Sequence, residues 1–360
     1  MSEWKLYKLG EIARFQTGKL NSNAAIEGGK YPFFTCSPTT LHIDNYAFDQ
    51  EAILLAGNNA EGNFSIKYYN GKFNAYQRTY VIEAITEYCE TRYLFYSLKL
   101  YLQHFKYISQ GTSTKFLTAS ILRNIPISLP PLETQKRIAD ILSAIDDKIE
   151  LNRRINANLE QQAQALYKSW FVDDKKDDWE EKRLDDIISI YDSQRKPLSG
   201  QQREKMEKLY PYYGAASLMD YVDNYLFDGI YLLLGEDGTV SDSEGFPMLQ
   251  YVWGKFWVNN HAHILQGKNG FTTESLYILL KQTNVSSIVT GAVQPKISQA
   301  NLKSVPITMP PINLLNQYNN IIKPIFNQIR INHNQIQQLS TLRDTLLPKL
   351  MSGEIKVPTN

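Results

Sequence analysis

Two groups of side chains in this sequence have residue types that could bind a metal ion or support hydrolysis. His261 and His263 are two residues apart, so on a strand both imidazoles would point to one side, as metal ligands do in some sites. No cysteine or acidic third ligand lies at a suitable spacing, and metal binding is therefore the less favoured interpretation. The four aspartates within 173–178 could form a cation cluster, but their charged surroundings are more typical of a solvated linker.

The sequence contains none of the short motifs that position phosphates, hydrolytic nucleophiles or catalytic zinc. We find no GxGxxG after a predicted strand, no GxxxxGK[ST], no HExxH and no GxSxG. Cys36 and Cys89 are single and far apart, so neither a disulfide framework nor a thiolate zinc site is indicated. The sequence therefore predicts no catalytic residue, no metal site and no bound cofactor in this chain, and a location in the reducing cytoplasm.

Length and composition indicate a folded protein with two domains. The 360 residues are enough for two hydrophobic cores, and a hydrophobic fraction of 43% excludes wholesale disorder. Lys and Arg number 38 against 37 Asp and Glu, so the surface is not uniformly basic, although local basic patches are compatible with this balance. No apolar stretch reaches the roughly 18 residues that a membrane span needs, and we expect no membrane partner.

The chain is a tandem repeat with an offset close to 180 residues. The strongest match pairs GTSTKFL at 111–117 with GAVQPKI at 291–297, and each is followed at equivalent positions by a Pro-Pro pair. A shorter match pairs YPFF at 31–34 with YPYY at 210–213. A repeat of this length is far longer than a solenoid repeat, so it indicates duplication of a whole domain with an appended segment.

Each repeat begins with mixed secondary structure. Short apolar runs such as 52–56 and 80–82, separated by Gly, Asn and Pro, predict strands and turns. One helix is predicted inside each domain, around 90–107 and around 273–282. The Pro-Pro pair then ends the domain, because proline fixes φ and disfavours the α region for the residue before it.

A long amphipathic helix follows each domain. Glycine is absent, and apolar residues recur at steps of three and four, as in the seam of a coiled coil. At about 1.5 Å per residue each helix would be about 57 Å long, so each needs a partner beyond its own domain. Pro324 predicts a kink or an N-terminal break early in the second helix. The seam residues are Leu142, Ile145, Ile149, Asn152, Asn156, Leu159, Ala163, Leu166 and Trp170 in the first helix, and Ile322, Ile325, Ile329, Asn332, Ile336, Leu339, Arg343, Leu346 and Leu350 in the second.

Charge favours pairing of the two helices with each other. Residues 133–180 carry 8 basic and 11 acidic residues, whereas 312–360 carry 5 and 2. We expect antiparallel packing, because the first helix must cross from its own domain to the start of the second. Two surface helices lying on separate domains are the alternative. Asn152 and Asn332 occupy equivalent seam positions, where they either fix the register or face water near a helix end.

These elements predict an α/β protein in which two similar mixed α/β domains, 1–131 and 179–311, are joined by two long helices. The helices, 132–172 and 312–352, pack as an antiparallel coiled coil with pseudo-two-fold symmetry, and an acidic linker at 173–178 precedes the second domain. Such a spacer would hold two binding surfaces at a fixed separation. Because the grooves of B-DNA repeat about every 34 Å, two DNA-reading surfaces are the favoured function.

The candidate reading surfaces are loops rich in hydrogen-bonding side chains at equivalent positions of the two repeats. Asn and Gln suit adenine, Arg and Lys suit guanine, and Ser, Thr and Lys suit phosphate. Gly111 and Gly291 permit close approach of the backbone, and the two histidines have structural or DNA-facing roles. An ordinary polar surface turn is the alternative for each loop. The candidate DNA-binding residues are Lys19, Asn58, Asn59, Gln110, Thr112, Ser113, Thr114, Lys115, Gln194, Arg195, Lys196, Gln294 and Lys296.

Three segments resemble the specificity subunit of type I restriction–modification enzymes. They are WKL and LGEI within 4–12, IPISLPPLETQKRIA at 125–139 and LRDTLLPKLMSGEI at 342–355. The likeness extends over the whole chain, including the duplication, and the phrase from the proline pair to QKRI is its most specific part. The second copy has NQYN at 316–319 in place of QKRI.

The resemblance implies two target recognition domains that each read one half of a bipartite DNA target, with the paired helices as spacer. It implies a non-catalytic subunit that binds double-stranded DNA, docks two adenine-N6 methyltransferase subunits and joins restriction and translocation subunits. S-adenosylmethionine, ATP and Mg²⁺ would belong to those partners. Apolar residues on exposed sides of the helices are the expected methyltransferase dock, namely Ile138, Ile141, Ile155 and Ile321.

Two other functions stay open. In one, the chain is a DNA-binding protein that acts alone, or an unassembled specificity subunit with no current methyltransferase partner. In the other, it is a hydrolase or nuclease that uses the aspartates of 173–178 or the pair His261 and His263.

Overall fold

The computed structural model describes residues 4–291 and 293–358, which form two compact units. Unit 1 combines the chain up to Asn152 with the chain from Gln335 onward, and unit 2 consists of Arg153–Asn334. Each unit therefore contains one mixed domain and a part of each long helix.

The elements of unit 1 follow one another in the order strand, short helix, sheet strands, helix and closing strand. They are β1 (Lys5–Lys8), α1 (Leu9–Ile12), β2 (Ala13–Thr17), β3 (Tyr31–Phe34), β4 (Leu41–Ile43), β5 (Phe48–Ala56), β6 (Asn58–Asn59), β7 (Ile66–Ala75), β8 (Thr79–Ala84), α2 (Thr91–Ile108), β9 (Lys115–Phe116), α3 (Ala119–Arg123) and β10 (Pro126–Leu129). Helix α4 (Leu132–Lys168) starts in unit 1 and continues into unit 2.

Unit 2 repeats this order. Its elements are β11 (Glu180–Arg183), α5 (Leu184–Ile187), β12 (Ile188–Ile190), α6 (Gly200–Glu204), β13 (Tyr210–Tyr213), β14 (Leu218–Val222), β15 (Phe227–Gly235), β16 (Leu249–Val258), β17 (Ala262–Gly267), α7 (Thr273–Lys281), α8 (Gln299–Lys303) and β18 (Pro306–Met309). Helix α9 (Ile312–Met351) starts in unit 2 and ends in unit 1. None of the helices in the described ranges combines the length and the apolar character that crossing a bilayer requires.

Both units contain a six-stranded mixed sheet with the same topology. The strand order is β2-β8-β5-β7-β3-β4 in unit 1 and β12-β17-β15-β16-β13-β14 in unit 2. In each sheet one pair of neighbouring strands is parallel, namely β3 and β7 in unit 1 and β13 and β16 in unit 2. All other neighbouring strands in the two sheets are antiparallel. The predicted strands at 52–56 and 80–82 and the two predicted inner helices are confirmed within β5, β8, α2 and α7.

The core of unit 1 joins elements that are far apart in the chain. Ile53 of the central strand and Tyr93 of α2 are fully buried, and they belong to the same apolar cluster as Leu142 of α4 and Leu347 of α9. Helix α2 starts at a cap, because the Glu90 carboxylate accepts a hydrogen bond from the backbone N–H of Tyr93. The long helices are thus part of the core.

Within unit 1 the two long helices run antiparallel. Asn152 of α4 donates a hydrogen bond to the Gln335 side chain of α9 at 3.1 Å, and Asp146 accepts one from Arg343 at 2.7 Å. The residue number falls along one helix as it rises along the other, which is the signature of antiparallel packing.

Within unit 2 the pairing has the same direction. Asn332 donates to the Oδ1 atom of Asn156 at 2.8 Å, and the Tyr318 hydroxyl donates to the backbone carbonyl of Ala163 at 3.0 Å. The alternative of two unpaired surface helices is therefore wrong, and the predicted antiparallel pairing is confirmed inside each unit.

The predicted seam is buried. All 18 seam residues are buried or half-buried, and Asn152 and Asn332 are only 1% and 4% exposed. The alternative that these two asparagines face water is wrong. The predicted N-terminal break at Pro324 is also wrong, because α9 is continuous from Ile312 to Met351. Pro324 lies on the exposed side of α9, while its neighbours Ile322 and Phe326 are buried and hold the helix against the core.

The glutamine of the QKRI phrase joins α4 to its domain. Gln135 is buried, and its side-chain oxygen accepts a hydrogen bond from the backbone N–H of Glu90 at 3.0 Å. Its side-chain nitrogen donates to the backbone carbonyls of Tyr88 and Pro130 at 3.0 and 2.8 Å. One amide therefore satisfies three backbone groups at the start of the helix.

We predict that Gln135→Ala destabilises unit 1 by about 2–4 kcal/mol, because three buried backbone groups lose their partner at once. The measurement is urea unfolding of the full-length chain, followed by circular dichroism. Gln161→Ala on the exposed side of the same helix is the matched control, and its effect should stay within about 0.5 kcal/mol. Equal midpoints for the two variants would contradict the role assigned to Gln135.

Candidate nucleic-acid interface

In unit 1 the structure brings two of the predicted reading segments together. Asn58 and Asn59 form the two-residue strand β6, which pairs antiparallel with β9, so that Asn58 lies opposite Phe116 and Asn59 opposite Lys115. The sequence did not predict this pairing, because the two segments are more than 50 residues apart. It brings the candidate residues Asn58, Asn59 and Lys115 close together, with Asn59 and Lys115 directly opposite each other.

The residues 111–115, called the unit 1 loop, protrude from a closed base. Gln110 and Phe116 exchange two backbone hydrogen bonds of 3.0 and 2.7 Å across that base. Gly111 has φ +102°, and a Cβ atom there would lie 2.1 Å from the carbonyl oxygen of Thr114. Only glycine therefore fits at this position. The candidates Thr112 and Ser113 are exposed, and Thr114 and Lys115 are half-buried.

The equivalent residues 291–295, called the unit 2 loop, are closed in the same way. Thr290 and Lys296 exchange backbone hydrogen bonds of 2.8 and 2.7 Å, and Gly291 has φ +87°. Gln294 is exposed, and Ala292 lies outside the described residues. The same closed base with a glycine at positive φ thus occurs in both units, although the loop sequences differ.

Each loop is anchored to the central sheet through one carbonyl group. In unit 1 the Tyr80 hydroxyl donates to the backbone carbonyl of Leu117 at 2.9 Å. In unit 2 the Nε2 atom of His263 lies 2.8 Å from the equivalent carbonyl, that of Ile297. A phenol in unit 1 and an imidazole in unit 2 therefore anchor equivalent backbone carbonyls from equivalent positions.

The structure adds residues that the sequence analysis missed. The turn 76–78 connects β7 to β8 beside the unit 1 loop and exposes Gln77 and Arg78. The backbone N–H of Gln77 donates to the carbonyl of Leu20, which places the turn next to the candidate Lys19. In the sequence this turn is only a short polar segment between two apolar runs. Such segments are too common to identify a functional residue.

In unit 2 the candidate Arg195 lies in an internal ion network, defined as Asp192, Arg195, Glu236 and His263. Its guanidinium contacts the Glu236 carboxylate at 2.5 Å and the Asp192 carboxylate at 3.5 Å, and its side chain is only 13% exposed. It also donates to the backbone carbonyl of Ala262 at 2.8 Å. This placement gives Arg195 a structural role, whereas its neighbours Gln194 and Lys196 are exposed.

His263 is buried at the centre of this network. Its Nδ1 atom lies 2.6 Å from the Asp192 carboxylate, and its Nε2 atom lies 2.8 Å from the carbonyl of Ile297. The carboxylate and the carbonyl are both hydrogen-bond acceptors, so each ring nitrogen faces an acceptor within the protein. His261 is different, because it is half-exposed and lies 3.7 Å from Asp237.

The ionised form of Asp192 is favoured despite its burial. Burial by itself raises the pKa of Asp192, but hydrogen bonds and positive charge from His263, the backbone N–H of Ile264 and the Gln299 amide outweigh it. Together they hold the pKa of this carboxyl below its ordinary value.

The network corrects one expectation about metal ligands. The sequence indicated no acidic partner for the histidines, yet Asp192, Glu236 and His263 converge so that their ligand atoms lie within 4.8 Å of one another. The partners come from residues 192 and 236, so spacing along the chain did not reveal them. The Arg195 guanidinium supplies positive charge at this place, which makes the group an ion-pair network.

The four aspartates of the linker do not form such a cluster among the described residues. They are exposed, and Asp173 pairs with Lys168 at 2.6 Å. This arrangement fits the solvated linker that the sequence favoured.

Four isoleucines were expected on exposed sides of the helices, and for one of them, Ile138, this prediction is wrong. Ile138 is buried in the core of unit 1, because the first turns of α4 pack directly against the domain. Ile141 and Ile321 are 39% and 42% exposed, and Ile155 is half-buried.

Comparison with known proteins identifies the family to which this architecture is similar. The sequence model described as the type I restriction modification DNA specificity domain matches twice, over residues 1–161 and 176–341. The chain is 41% identical over 164 residues to the type I restriction enzyme EcoDI specificity subunit of Escherichia coli, covering 46% of this chain and 35% of that protein.

Two further comparisons extend over more of the chain. It is 29% identical over 306 residues to the MjaIX specificity subunit of Methanocaldococcus jannaschii, covering 74% of this chain and 69% of that protein. The crystal structure of the S subunit of a type I restriction-modification system from M. genitalium has the same fold, with a TM-score of 0.62, 18% identity and coverage of 99% and 97%. The match to the Escherichia coli protein, by contrast, spans about a third of that protein's length.

We predict that Asp192→Asn destabilises unit 2 by about 3–5 kcal/mol at pH 7, because His263 and Arg195 lose a buried charged partner. The lowered pKa means that ionised Asp192 stabilises the fold above its ordinary pKa of 3.8 and that this stabilisation is lost as the pH falls through the lower folded value. The difference between wild type and variant in urea unfolding should therefore shrink below about pH 4.

The control for this prediction is Asp185→Asn. Asp185 is exposed and pairs with Lys303 at 3.3 Å, so its loss should cost less than about 1 kcal/mol. A difference between Asp192→Asn and wild type that did not change with pH would show that the charge of Asp192 is not the source of the stability.

Proposed function

The chain belongs to the type I restriction–modification DNA specificity family, and on this premise we propose that it selects the DNA target of a multisubunit methyltransferase and endonuclease. In this proposal unit 1 and unit 2 each read one half of a bipartite target in double-stranded DNA. The chain itself carries out no chemistry and acts in the cytoplasm.

The observation that carries the proposal is the repetition of one loop geometry. Two sheets of identical strand order each present a five-residue loop with glycine at its first position and a pair of backbone hydrogen bonds at its base. Loop side chains can differ while the base stays the same, which is what a scaffold for variable sequence reading needs. Polar and basic side chains at these loops suit contacts with base edges and phosphates.

Partner subunits belong to the same proposal. Two methyltransferase subunits dock on the long helices, with Ile141 and Ile321 as exposed apolar contacts, and restriction and translocation subunits join through them. S-adenosylmethionine, ATP and Mg²⁺ are bound by those partners. A DNA-binding protein that acts alone is the rival function, and co-purification with a methyltransferase distinguishes the two.

No contact in the described residues favours a hydrolase or nuclease. Both ring nitrogens of His263 are within hydrogen-bond distance of internal acceptors, and the ring is fully buried. A general base needs access to the proton that it removes. The linker aspartates that could have held a cation are spread over exposed positions.

We predict different effects on DNA binding for Lys115, in the unit 1 loop, and Lys296, at the base of the unit 2 loop. Lys115 has no acidic partner among the described residues, whereas Lys296 lies 3.6 Å from the Glu236 carboxylate. Lys115→Gln should weaken binding to all sequences alike and lower the slope of log affinity against log salt by about 1. Lys296→Gln should change the slope less, because part of its charge is already neutralised. Titration of labelled duplexes at several salt concentrations is the measurement.

The decisive test of the function is methylome sequencing of a host with and without this chain. The expected result is a split adenine motif that is methylated only when the chain is present, because in this proposal one chain supplies the specificity for both half-sites. Complementation with the intact gene should restore the motif. Identical methylated motifs in the two genomes would contradict the proposed function.

A further inference from the structure

The two units differ in what lies beneath their equivalent loops. Strand register makes positions comparable, because Ala56 pairs with Thr79 in unit 1 as Gly235 pairs with Ala262 in unit 2. The residue that follows is Gly57 after β5 in unit 1 and Glu236 after β15 in unit 2. A carboxylate in one unit corresponds to a glycine without a side chain in the other.

In unit 2 this space is occupied by side chains that neutralise one another. The Glu236 carboxylate contacts Arg195 at 2.5 Å and Lys296 at 3.6 Å, and Asp192 accepts a hydrogen bond from Gln299 at 2.6 Å. The donors that point into this region already have acceptors within the chain.

In unit 1 the same space is an open pocket of about 550 Å³, a size within the usual range for ligand sites. Its lining includes Gly57, Gln77, Arg78, Gln110 and Phe116, and none of its lining residues is acidic. The pocket therefore offers hydrogen-bond donors and one positive charge without an internal carboxylate to receive them.

The backbone of Arg78 is fixed by hydrogen bonds, and its side chain lies against an aromatic ring. Its backbone carbonyl accepts hydrogen bonds from the N–H of Gly57 at 2.8 Å and from the Cys36 thiol at 3.4 Å. Its guanidinium lies 5.5 Å from the centre of the Phe116 ring. Within the described chain no carboxylate lies at ion-pair distance from this side chain, so its donors are unused.

We propose that this pocket is a DNA-contact site that unit 1 has and unit 2 lacks, in which Arg78 donates paired hydrogen bonds to acceptor atoms of the duplex. The planar guanidinium matches two neighbouring acceptors, either O6 and N7 of guanine or two phosphate oxygens. The inference rests on the proposed function. It means that the two half-sites are bound with different chemistry, since the equivalent space of unit 2 is filled by its own ion network.

The experiment selects duplexes from a random library with the full-length chain and then measures affinities of the selected duplexes at several salt concentrations. Arg78→Gln should lower the affinity about ten- to a hundredfold. Arg78→Lys keeps the charge but not the planar fork, so it should recover less than half of that loss on a logarithmic scale. Circular dichroism of each variant checks that the exposed substitution leaves the fold intact.

Two control variants match the test. Arg14→Gln removes an exposed arginine of the same sheet outside the pocket, and His261→Gln changes the position of unit 2 that is equivalent to Arg78. Both should stay within about threefold of wild type.

The outcomes distinguish a guanine contact from a phosphate contact. They also distinguish failure of the pocket assignment from failure of the proposed function. Loss of guanine preference at one position of the selected motif supports a base contact, and a uniform loss with a salt slope lower by about 1 supports a phosphate contact. An affinity, motif and salt slope for Arg78→Gln that equal those of Arg14→Gln would overturn the pocket assignment alone. A wild-type chain that selects no motif would overturn the proposed function itself.

Discussion

The apolar seam between α4 and α9 completes the hydrophobic core of each unit separately. Leu347 and Leu350 of α9 belong to the core of unit 1, and Ala163 and Tyr167 of α4 belong to the core of unit 2. Neither repeat by itself contains all the apolar surface that its core buries. The buried contact between Asn156 and Asn332 also fixes the register, because a shifted pairing would leave two amides without partners away from water.

The unit 1 loop and the unit 2 loop are held by the same scaffold, but the side chains that anchor them differ chemically. Tyr80 and His263 occupy equivalent positions and hold equivalent carbonyls, those of Leu117 and Ile297. The phenol is neutral and needs no compensating charge, whereas the imidazole lies within an ion network. One topology therefore supports a phenol anchor in one unit and, in the other, an imidazole anchor that is itself bound to a carboxylate. The difference shows how duplicated domains can diverge in recognition while their sheets stay the same.

The sequence predicted the features that depend on local period and on repetition. The seam positions and the strand 52–56 follow from the spacing of apolar residues and turn residues. Features that depend on distant partners were missed. The ion network draws on residues 192, 236 and 263, and Ile138 was expected on an exposed side because a helical period does not show which side packs on the domain. Arg78 lies in a turn whose sequence is ordinary, and only its neighbours make it a candidate.

The discontinuous composition of unit 1 affects the order in which the protein is completed on the ribosome. All segments of unit 2 lie between Arg153 and Asn334, whereas unit 1 requires residues from Gln335 onward. Domains generally fold as units, so a domain needs all of its segments before it can complete its core. All segments of unit 2 have therefore been synthesised before the last segment of unit 1. About 180 residues separate the two segments of unit 1, so its core stays incomplete until the end of α9 has been translated.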